Sequence, residues 1–277
     1  MNPKTKKKII DTTLSVVIWF LVLLFYLIPF YYMIVNSLKT KKEASTLTLN
    51  LPTEWRFENY SEAFTRGRML TALINNGIVA AIVILIVVVC GMLGAFYIQR
   101  AQTKIASFLY YFSVMGIAMP ISITTTFDLL KSLRLYDTLI GASFICAAMR
   151  LPFIVFLYVG FMKTVPKELD EAAIIDGCGP ARLFFRIILP LLKPITITSI
   201  VITAQFVWNT FDVFIYFLQS SARYTLPLSV YSFYGMYGSD RNMIFSCSVI
   251  TVIPILIVYL LGQRYIIDGL TTGAVKG

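Results

Sequence analysis

Long uncharged runs constrain the fold of this chain more than any other feature. Five of them reach the length of a membrane-spanning helix, at residues 12–38, 69–99, 105–127, 194–211 and 242–263. A sixth, at residues 138–162, is interrupted only by Arg150. Because about 20 apolar residues cross the ~30 Å hydrocarbon core of a bilayer, we predict an all-α membrane protein with six transmembrane helices. We expect these spans at about residues 12–37, 70–98, 105–128, 138–162, 194–218 and 242–264.

The composition leaves little room for another kind of domain. Only 14% of the 277 residues are charged and 58% are hydrophobic, whereas about a quarter of the residues in a soluble domain are charged. No internal repeat or low-complexity tract interrupts the pattern of spans and short connections. We therefore predict a single transmembrane domain over residues 1–277.

The formal net charge of +10 is explained by membrane topology and does not require a nucleic-acid partner. Four lysines precede the first span, at Lys4, Lys6, Lys7 and Lys8, and basic residues beside a span favour the cytoplasmic side. An even number of spans then puts both termini in the cytoplasm. Residues 39–68 (the outer segment) and 219–241 (the outer loop) are predicted outside, and residues 163–193 and 265–277 inside.

Histidine and cysteine usage argues against metal, redox and nucleophilic chemistry. The chain has no histidine and four cysteines, none of which forms a CxxC pair, so a zinc site, a disulfide framework or a histidine-based triad is not expected. No GxxxxGK[ST] phosphate-binding loop occurs either. We predict that the chain has no catalytic residues, binds no metal or other cofactor, and is not an enzyme.

One compact charged stretch, "ELDEAAIIDGCGPARLFFRIILP" at residues 168–190, separates two of the uncharged runs. Pro166 can open a helix, and acidic residues in the first turn complement the positive end of the helix dipole. Gly177 is predicted to end this helix, and a second short helix should follow over residues 181–188. We expect a helix–turn–helix in the cytosol that is tied directly to the fourth and fifth spans. One helix face is predicted to carry Leu169, Ala172, Ala173 and Asp176.

This stretch resembles a known family. Glu171-Ala172-Ala173, Gly177 and Ile187-x-Leu189-Pro190 reproduce the EAA signature, EAA-x3-G-x9-I-x-L-P, of ATP-binding-cassette importer permeases. The resemblance implies the type I importer permease fold, in which residues 163–193 (the coupling segment) dock a coupling helix into an ATP-hydrolysing subunit. The ATPase-coupling residues it implies are Glu168, Glu171, Ala172, Ala173, Asp176 and Gly177.

Further stretches resemble the carbohydrate-uptake branch of these permeases, and specifically the shorter maltose-transport permease. They are "FVWNTFDVFIYFL", "YTLPLSVYSF" and the closing "RYIIDGLTTGAVKG". The sequence departs from that branch at Cys178-Gly179, where Ala-Ser is common, and at Thr210, where an acidic residue is frequent. The resemblance implies a pore-forming subunit of a sugar importer in a prokaryotic cell membrane.

The same resemblance implies a set of partners. A second homologous permease would form a heterodimer with this chain, two ATP-binding-cassette subunits would hydrolyse ATP below it, and an extracytoplasmic sugar-binding protein would deliver the substrate. The cytosolic tail, residues 265–277, would reach into the ATPase pair. Its candidate contacts are Thr271, Thr272, Gly273, Lys276 and Gly277.

Polar residues inside the spans form a second candidate site. Arg150 and Asp212 are ionisable, and Gln205, Trp208 and Asn209 lie within about two turns of Asp212. Ionisable groups in a span usually face a bundle interior or an aqueous cavity. Two interpretations stay open: these residues contact sugar in a translocation pathway, or they clamp helices together, with Arg150 as a possible partner of Asp212.

The outer loop is rich in tyrosine, with Tyr224, Tyr231, Tyr234 and Tyr237. The family resemblance suggests that these residues contact the binding protein, and packing of the loop on its own chain is the alternative. Three other functions remain possible from the sequence: an importer permease for a non-sugar solute, an ion-coupled secondary transporter and, more remotely, a membrane-embedded enzyme. The sequence does not identify the sugar.

Overall fold

The computed structural model describes residues 3–235 and 238–274, with side chains for residues 13–235 and 239–263. Within these residues the structure is mostly helical. The principal helices are α1 (Pro3–Ser37), α2 (Lys41–Ala44), α3 (Glu58–Arg66), α4 (Met69–Ala101), α5 (Lys104–Ala118), α6 (Ile123–Ser132) and α7 (Leu139–Met162). They continue with α8 (Glu168–Ile175), α9 (Pro180–Leu183), α10 (Leu189–Leu191), α11 (Lys193–Asn209), α12 (Phe214–Phe217) and α13 (Arg241–Ala274).

Short irregular elements connect some of these helices. A π-helical turn, Phe184–Ile188, joins α9 to α10, and 3₁₀ turns cover Ser221–Arg223 and Pro227–Phe233. A two-residue antiparallel pair, β1 (Tyr234–Gly235) and β2 (Gly238–Ser239), follows them. The chain divides into two compact units: the first comprises the residues up to Met69 with Val230–Val252, and the second comprises Leu70–Ser229 with the residues from Ile253 on.

In the first unit, the end of α1 is held by amide and hydroxyl groups. Asn59 donates from Nδ2 to the carbonyls of Ser37 at 2.8 Å and Lys39 at 2.9 Å, and Ser246 donates to the Ser37 carbonyl at 3.0 Å. The bonds to Ser37 satisfy a carbonyl that has no intrahelical partner at the helix C-terminus, and the bond to Lys39 holds the backbone just after the helix. Lys39 is buried and donates to Asn36 Oδ1 and to both oxygens of Thr48. Burial lowers the pKa of Lys39, and the charge of Glu43 opposes that shift.

In the second unit, α4 packs closely against α7. The buried stripe of α4 includes Val79, Val83 and Val87 at four-residue spacing, which is the spacing of one helix face. A Cβ atom at Gly91 would lie only 2.8 Å from Ile154 Cγ2. A neighbouring helix therefore approaches closely at Gly91, whereas at Gly94 the nearest atom is 4.0 Å away.

Two of the predicted spans are broken. The third is divided into α5 and α6, which meet at 115°. Met119 precedes Pro120 and has φ −81° and ψ 117°, because a proline disfavours helical geometry in the residue before it. The fifth span stops early, since α11 ends at Asn209 and α12 begins only at Phe214.

In the part of the chain that the structure describes, four helices are long and apolar enough to cross a membrane by themselves: residues 13–37, α4, α7 and residues 241–263. The pair α5–α6 and the pair formed by Pro180–Leu191 and Lys193–Asn209 bring the number to as many as six if each bent pair is one span. The prediction of an all-helical membrane fold is confirmed, and the helices differ from the predicted spans mainly at these two breaks.

Candidate functional site

The coupling segment contains a short helix whose two ends follow from its sequence. Helix α8 carries Glu168, Asp170 and Glu171 in its first turn, where negative charge is favourable. At its other end Gly177 has φ +76°, its N–H donates to the Ile174 carbonyl, and the Cys178 N–H donates to the Ala173 carbonyl, both at 2.9 Å. This is the Schellman arrangement. The prediction that Gly177 ends the helix is confirmed.

The faces of α8 differ from the expected pattern. Asp170 and Ala173 are buried, while Leu169, Ala172 and Asp176 are exposed. The four residues predicted to share one helix face therefore differ in burial, because Ala173 joins the core of the second unit beside Leu183 and Phe184. The exposed side carries two residues that sequence reasoning missed, Ile174 at 62% and Ile175 at 85% exposure.

The segment after α8 also departs from a plain second helix. Gly179 and Pro180 begin α9, which passes into the π-helical turn and then α10. The π-helical turn buries Phe184 and Ile188, and the Phe184 ring lies 5.2 Å from the ring of Phe96 on α4. Turns of this kind are rare and occur often at functional sites. The coupling segment is thus packed onto the membrane helices rather than suspended from them.

A largely buried ion pair, which no sequence pattern predicts, also ties α8 to α4. Arg100 Nε lies 2.5 Å from Asp170 Oδ2, and the two side chains are only 13% and 12% exposed. Arg100 Nη2 donates to Asp170 Oδ1 at 3.3 Å and to the Val165 carbonyl at 3.5 Å. Nε itself makes no aligned hydrogen bond, so its contact with Oδ2 is electrostatic. Seventy residues separate the two partners.

The polar residues predicted inside the spans meet at a cavity of about 440 Å³ in the second unit. Arg150, Gln205, Asn209 and Asp212 line it, together with Met149, Ile202, Phe206 and Thr210. Trp208, the fifth candidate, is half-buried and is not among the residues that line this cavity. Asp212 lies in the turn between α11 and α12 and is exposed, and non-helical backbone at membrane depth is tolerated where it lines a cavity.

Arg150 has partners other than the expected one. Its Nη2 donates to the Ile202 carbonyl of α11 at 3.3 Å, and its guanidinium carbon lies 4.6 Å and 5.1 Å from the ring centroids of Phe153 and Phe206. Among the described residues Arg150 and Asp212 form no ion pair, so the suggested clamp between them is not made within this chain. Arg150 instead joins α7 to α11, and Asp212 faces the cavity.

Comparisons with known proteins identify the family. The family described as "binding-protein-dependent transport system inner membrane component" matches residues 88–271, which include the coupling segment and the cavity. This chain belongs to that family. Membership of a binding-protein-dependent transport family decides against the ion-coupled secondary transporter considered from the sequence.

Named relatives of the permease span nearly its whole length. It is 36% identical over 255 residues to the melibiose/raffinose/stachyose import permease protein MelC of Bacillus subtilis (strain 168), covering 91% of this chain and 92% of the relative. It is 32% identical over 255 residues to the probable starch degradation products transport system permease protein AmyC of Thermoanaerobacterium thermosulfurigenes, covering 91% and 93%.

A solved structure has the same fold as this permease. A chain of a bacterial ABC transporter involved in the import of the acidic polysaccharide alginate superposes with a TM-score of 0.77. The match covers 96% of this chain and 98% of the other at 17% sequence identity. The expected importer permease fold is confirmed.

The structure describes only some of the remaining candidate contact residues, which lie in the outer loop and the cytosolic tail. Tyr224 is half-buried, and its carbonyl accepts a hydrogen bond from Asn75 at 3.0 Å. Tyr231 and Tyr234 are exposed, with ring centroids 5.2 Å apart, while Tyr237 lies outside the described residues. In the tail, Thr271, Thr272 and Gly273 belong to α13, but the side chains of the two threonines lie outside the described ones. Lys276 and Gly277 are also outside the described residues.

Proposed function

We propose that this chain is the pore-forming permease subunit of an ATP-driven importer of sugars or oligosaccharides. The observation that carries the proposal is the coupling segment. Its α8 is closed by a Schellman turn at Gly177, fixed to the membrane helices on one side, and apolar and exposed at Ile174 and Ile175 on the other. An exposed apolar surface beside polar residues is typical of a protein contact.

In this proposal the exposed side of α8 contacts an ATP-hydrolysing partner. Ile174 and Ile175 supply the apolar contact and Glu168 and Glu171 its charged rim, while the buried Ala173 holds the helix in place. Gly177 fixes where the helix ends. The chain itself binds no cofactor and catalyses no reaction, since ATP is hydrolysed by two partner subunits. Thr271–Gly277 would form a second contact with those subunits.

A carbohydrate substrate is supported by the names of the relatives, which describe importers of melibiose, raffinose, stachyose and starch degradation products. The family description supports an external binding protein as a further partner. A second, homologous permease completes the pathway. Tyr231 and Tyr234 are proposed as binding-protein contacts because they are exposed and adjacent.

Within the permease, Asp212, Asn209 and Gln205 are proposed to line the pathway, whereas Arg150 holds α7 and α11 together. Asp212→Asn keeps the shape of the side chain and removes its charge. This variant should assemble normally and transport less sugar, whereas Arg150→Met should reduce assembly of the complex. Reduced assembly in Asp212→Asn, with Arg150→Met normal, would reverse the two assignments.

The proposed orientation has both termini in the cytoplasm of a prokaryotic cell membrane. Single cysteines can be introduced into a chain whose four native cysteines have been replaced. Arg56→Cys in the outer segment should react with an impermeant thiol reagent on intact cells, and Ile175→Cys should react only after lysis. Ile175 is 85% exposed and the side chain of Arg56 is 41% exposed, so a reagent can reach both positions and unequal labelling reports sidedness. The opposite labelling pattern would contradict the orientation.

The direct test is reconstitution of this permease with its partner permease, ATPase subunits and binding protein in lipid vesicles. Melibiose, raffinose, arabinooligosaccharides and maltooligosaccharides are supplied in turn, and ATP hydrolysis and sugar uptake are measured together. At least one of these sugars should stimulate ATP hydrolysis and accumulate inside the vesicles only when ATP is present. If none does, and an amino acid or phosphate does instead, the carbohydrate assignment is wrong.

A further inference from the structure

We propose that α4 is the element that links the coupling helix to the outer loop, with Arg100 and Asn75 as the positioning residues at its two ends. The proposal rests on the function proposed above. It concerns how docking of a sugar-loaded binding protein is coupled to movement of the ATPase subunits. Both contacts of α4 lie within the second unit.

At the coupling end, Arg100 occupies the last turn of α4, where a positive charge also complements the helix dipole. Its ion pair with Asp170 is largely buried, and its second bond goes to Val165 in the connection that leads into α8. The neighbouring Gln99 donates to the Val159 carbonyl at the end of α7, at 3.5 Å. A buried ion pair that loses one partner leaves an uncompensated charge, so α8 can move away from α4 only at high cost.

At the other end, Asn75 is buried and uses one amide nitrogen to bind two carbonyls of the outer loop. Its Nδ2 donates to Ala222 and to Tyr224, at 3.0 Å each. Both acceptors belong to the backbone, so the bond fixes the path of the loop at residues 222–224 regardless of which side chains it carries. Tyr224 is one of the candidate contacts with the binding protein.

Between these ends α4 is a single helix without proline. Asn75 and Arg100 are 25 positions apart, which corresponds to about 38 Å along the helix at a rise of 1.5 Å per residue. Its packing on α7, at Gly91 and along the stripe of buried valines, favours movement of the two helices together, because closely packed interiors shift between discrete arrangements rather than deform continuously. A displacement of α8 is therefore passed to residues 222–224 along one stiff element.

The test uses the complete reconstituted importer and the sugar that stimulates the wild type most. Its readout is the ratio of ATP hydrolysis with the sugar-loaded binding protein to hydrolysis without it. Arg100→Gln should lower this ratio about fivefold or more, Arg100→Lys should retain most of it, and the exchanged pair Arg100→Asp with Asp170→Arg should restore part of it. Asn75→Asp cannot donate to the two carbonyls and should also lower the ratio, whereas Asn75→Gln retains the donor.

The combined variant decides whether the two ends belong to one link. If both act through α4, Arg100→Gln with Asn75→Asp should lose no more than the more damaging single change. Losses that multiply would show two independent local effects and overturn the proposal, as would a normal ratio in both Arg100→Gln and Asp170→Asn. Arg56→Gln is the matched control, since its ion pairs with Glu54 and Glu58 are exposed, and its ratio should equal that of the wild type.

The outcomes separate this inference from the proposed function. A wild-type importer that no sugar stimulates would contradict the proposed function and, with it, the link through α4 that rests on that function. A stimulated wild type with unaffected Arg100 and Asn75 variants would contradict only the link through α4. If Arg100→Gln prevents assembly, Arg100→Lys and the exchanged pair still report on the link, because a restored assembly without a restored ratio would count against it.

Discussion

The outer segment and the coupling segment both carry many charges, but they hold them differently. In the outer segment, Arg56 is shared between Glu54 and Glu58 at 2.6 and 2.9 Å, and all three side chains are 41–57% exposed. In the coupling segment, Asp170 meets Arg100 at 2.5 Å with both side chains at 12–13% exposure. One region has several weak surface pairs, and the other has a single buried pair.

The two regions differ in how much the loss of one ion pair costs. Exposed ion pairs contribute little because water and salt screen them, so the outer segment can lose one without consequence. Breaking a buried pair by removing one partner costs about 3–5 kcal/mol. The position of α8 in the coupling segment therefore depends on a few residues, Asp170, Ala173 and Gly177. A substitution at any of them should weaken the coupling of ATP hydrolysis to transport.

The largest effect is expected at Gly177, where φ is +76°. Gly177→Val places a β-branched side chain in a conformation that costs an L residue about 1–2 kcal/mol, and it should undo the turn that ends α8. Stimulated ATP hydrolysis by the reconstituted importer should be almost lost while the permease still inserts.

Gly179→Ala is the control for this substitution. Gly179 has φ −73°, and a Cβ atom there would meet no other atom within 4 Å. Stimulation should be unchanged in this variant. Equal loss in the two glycine variants would show that the segment is merely intolerant of side chains, and that the left-handed turn has no special role.

A moderate effect is expected from two neighbouring alanines, because Ala173 is buried and Ala172 is exposed. Ala173→Leu overpacks the core, at a cost of about 1–3 kcal/mol, and should lower the thermal unfolding temperature of the purified permease. Ala172→Leu should leave the unfolding temperature unchanged and instead weaken binding of the ATPase subunits. The same pair of measurements on both variants separates the two faces of α8, and identical behaviour would contradict that division.

The smallest effect is expected in the outer segment, at Glu43. Hydrogen bonds from the Thr53 hydroxyl and backbone N–H, followed by those from Thr40, lower the pKa of Glu43 from 4.5 to about 2. Since the folded-state pKa is depressed, the stabilisation is fully present above 4.5 and is lost as the pH falls toward 2. Glu43→Gln should make the unfolding temperature slightly less dependent on pH in this range. A steeper dependence in the variant would refute the assignment.

Much of the fold could be predicted because the relevant signals are local. The length of an uncharged run is set by the thickness of the bilayer. The helix end at Gly177 is predictable because glycine is the residue type that accepts a positive φ without strain. The break at Pro120 also has a local cause, the effect of proline on the backbone of Met119, although the length of the uncharged run by itself predicts one unbroken span.

The parts that could not be predicted depend on residues far apart in the chain. Arg100 and Asp170 are 70 positions apart, and Asn75 lies 147 positions from Ala222. Neither pair has a spacing that a helix or a hairpin would impose. The end of α11 at Asn209 has no glycine or proline beside it. The sequence therefore carries no local glycine or proline signal for the position of this helix end.

The central claim is that the exposed side of α8 meets the ATP-hydrolysing subunits. It is tested most directly by the rate at which a maleimide labels Ile175→Cys in the purified permease pair, with and without those subunits, in a background free of native cysteines. Ile175 is 85% exposed, so labelling should be fast without the ATPase and at least tenfold slower with it, while Arg56→Cys in the outer segment should be labelled at the same rate in both. Unchanged labelling of Ile175→Cys in a fully assembled complex would contradict the account.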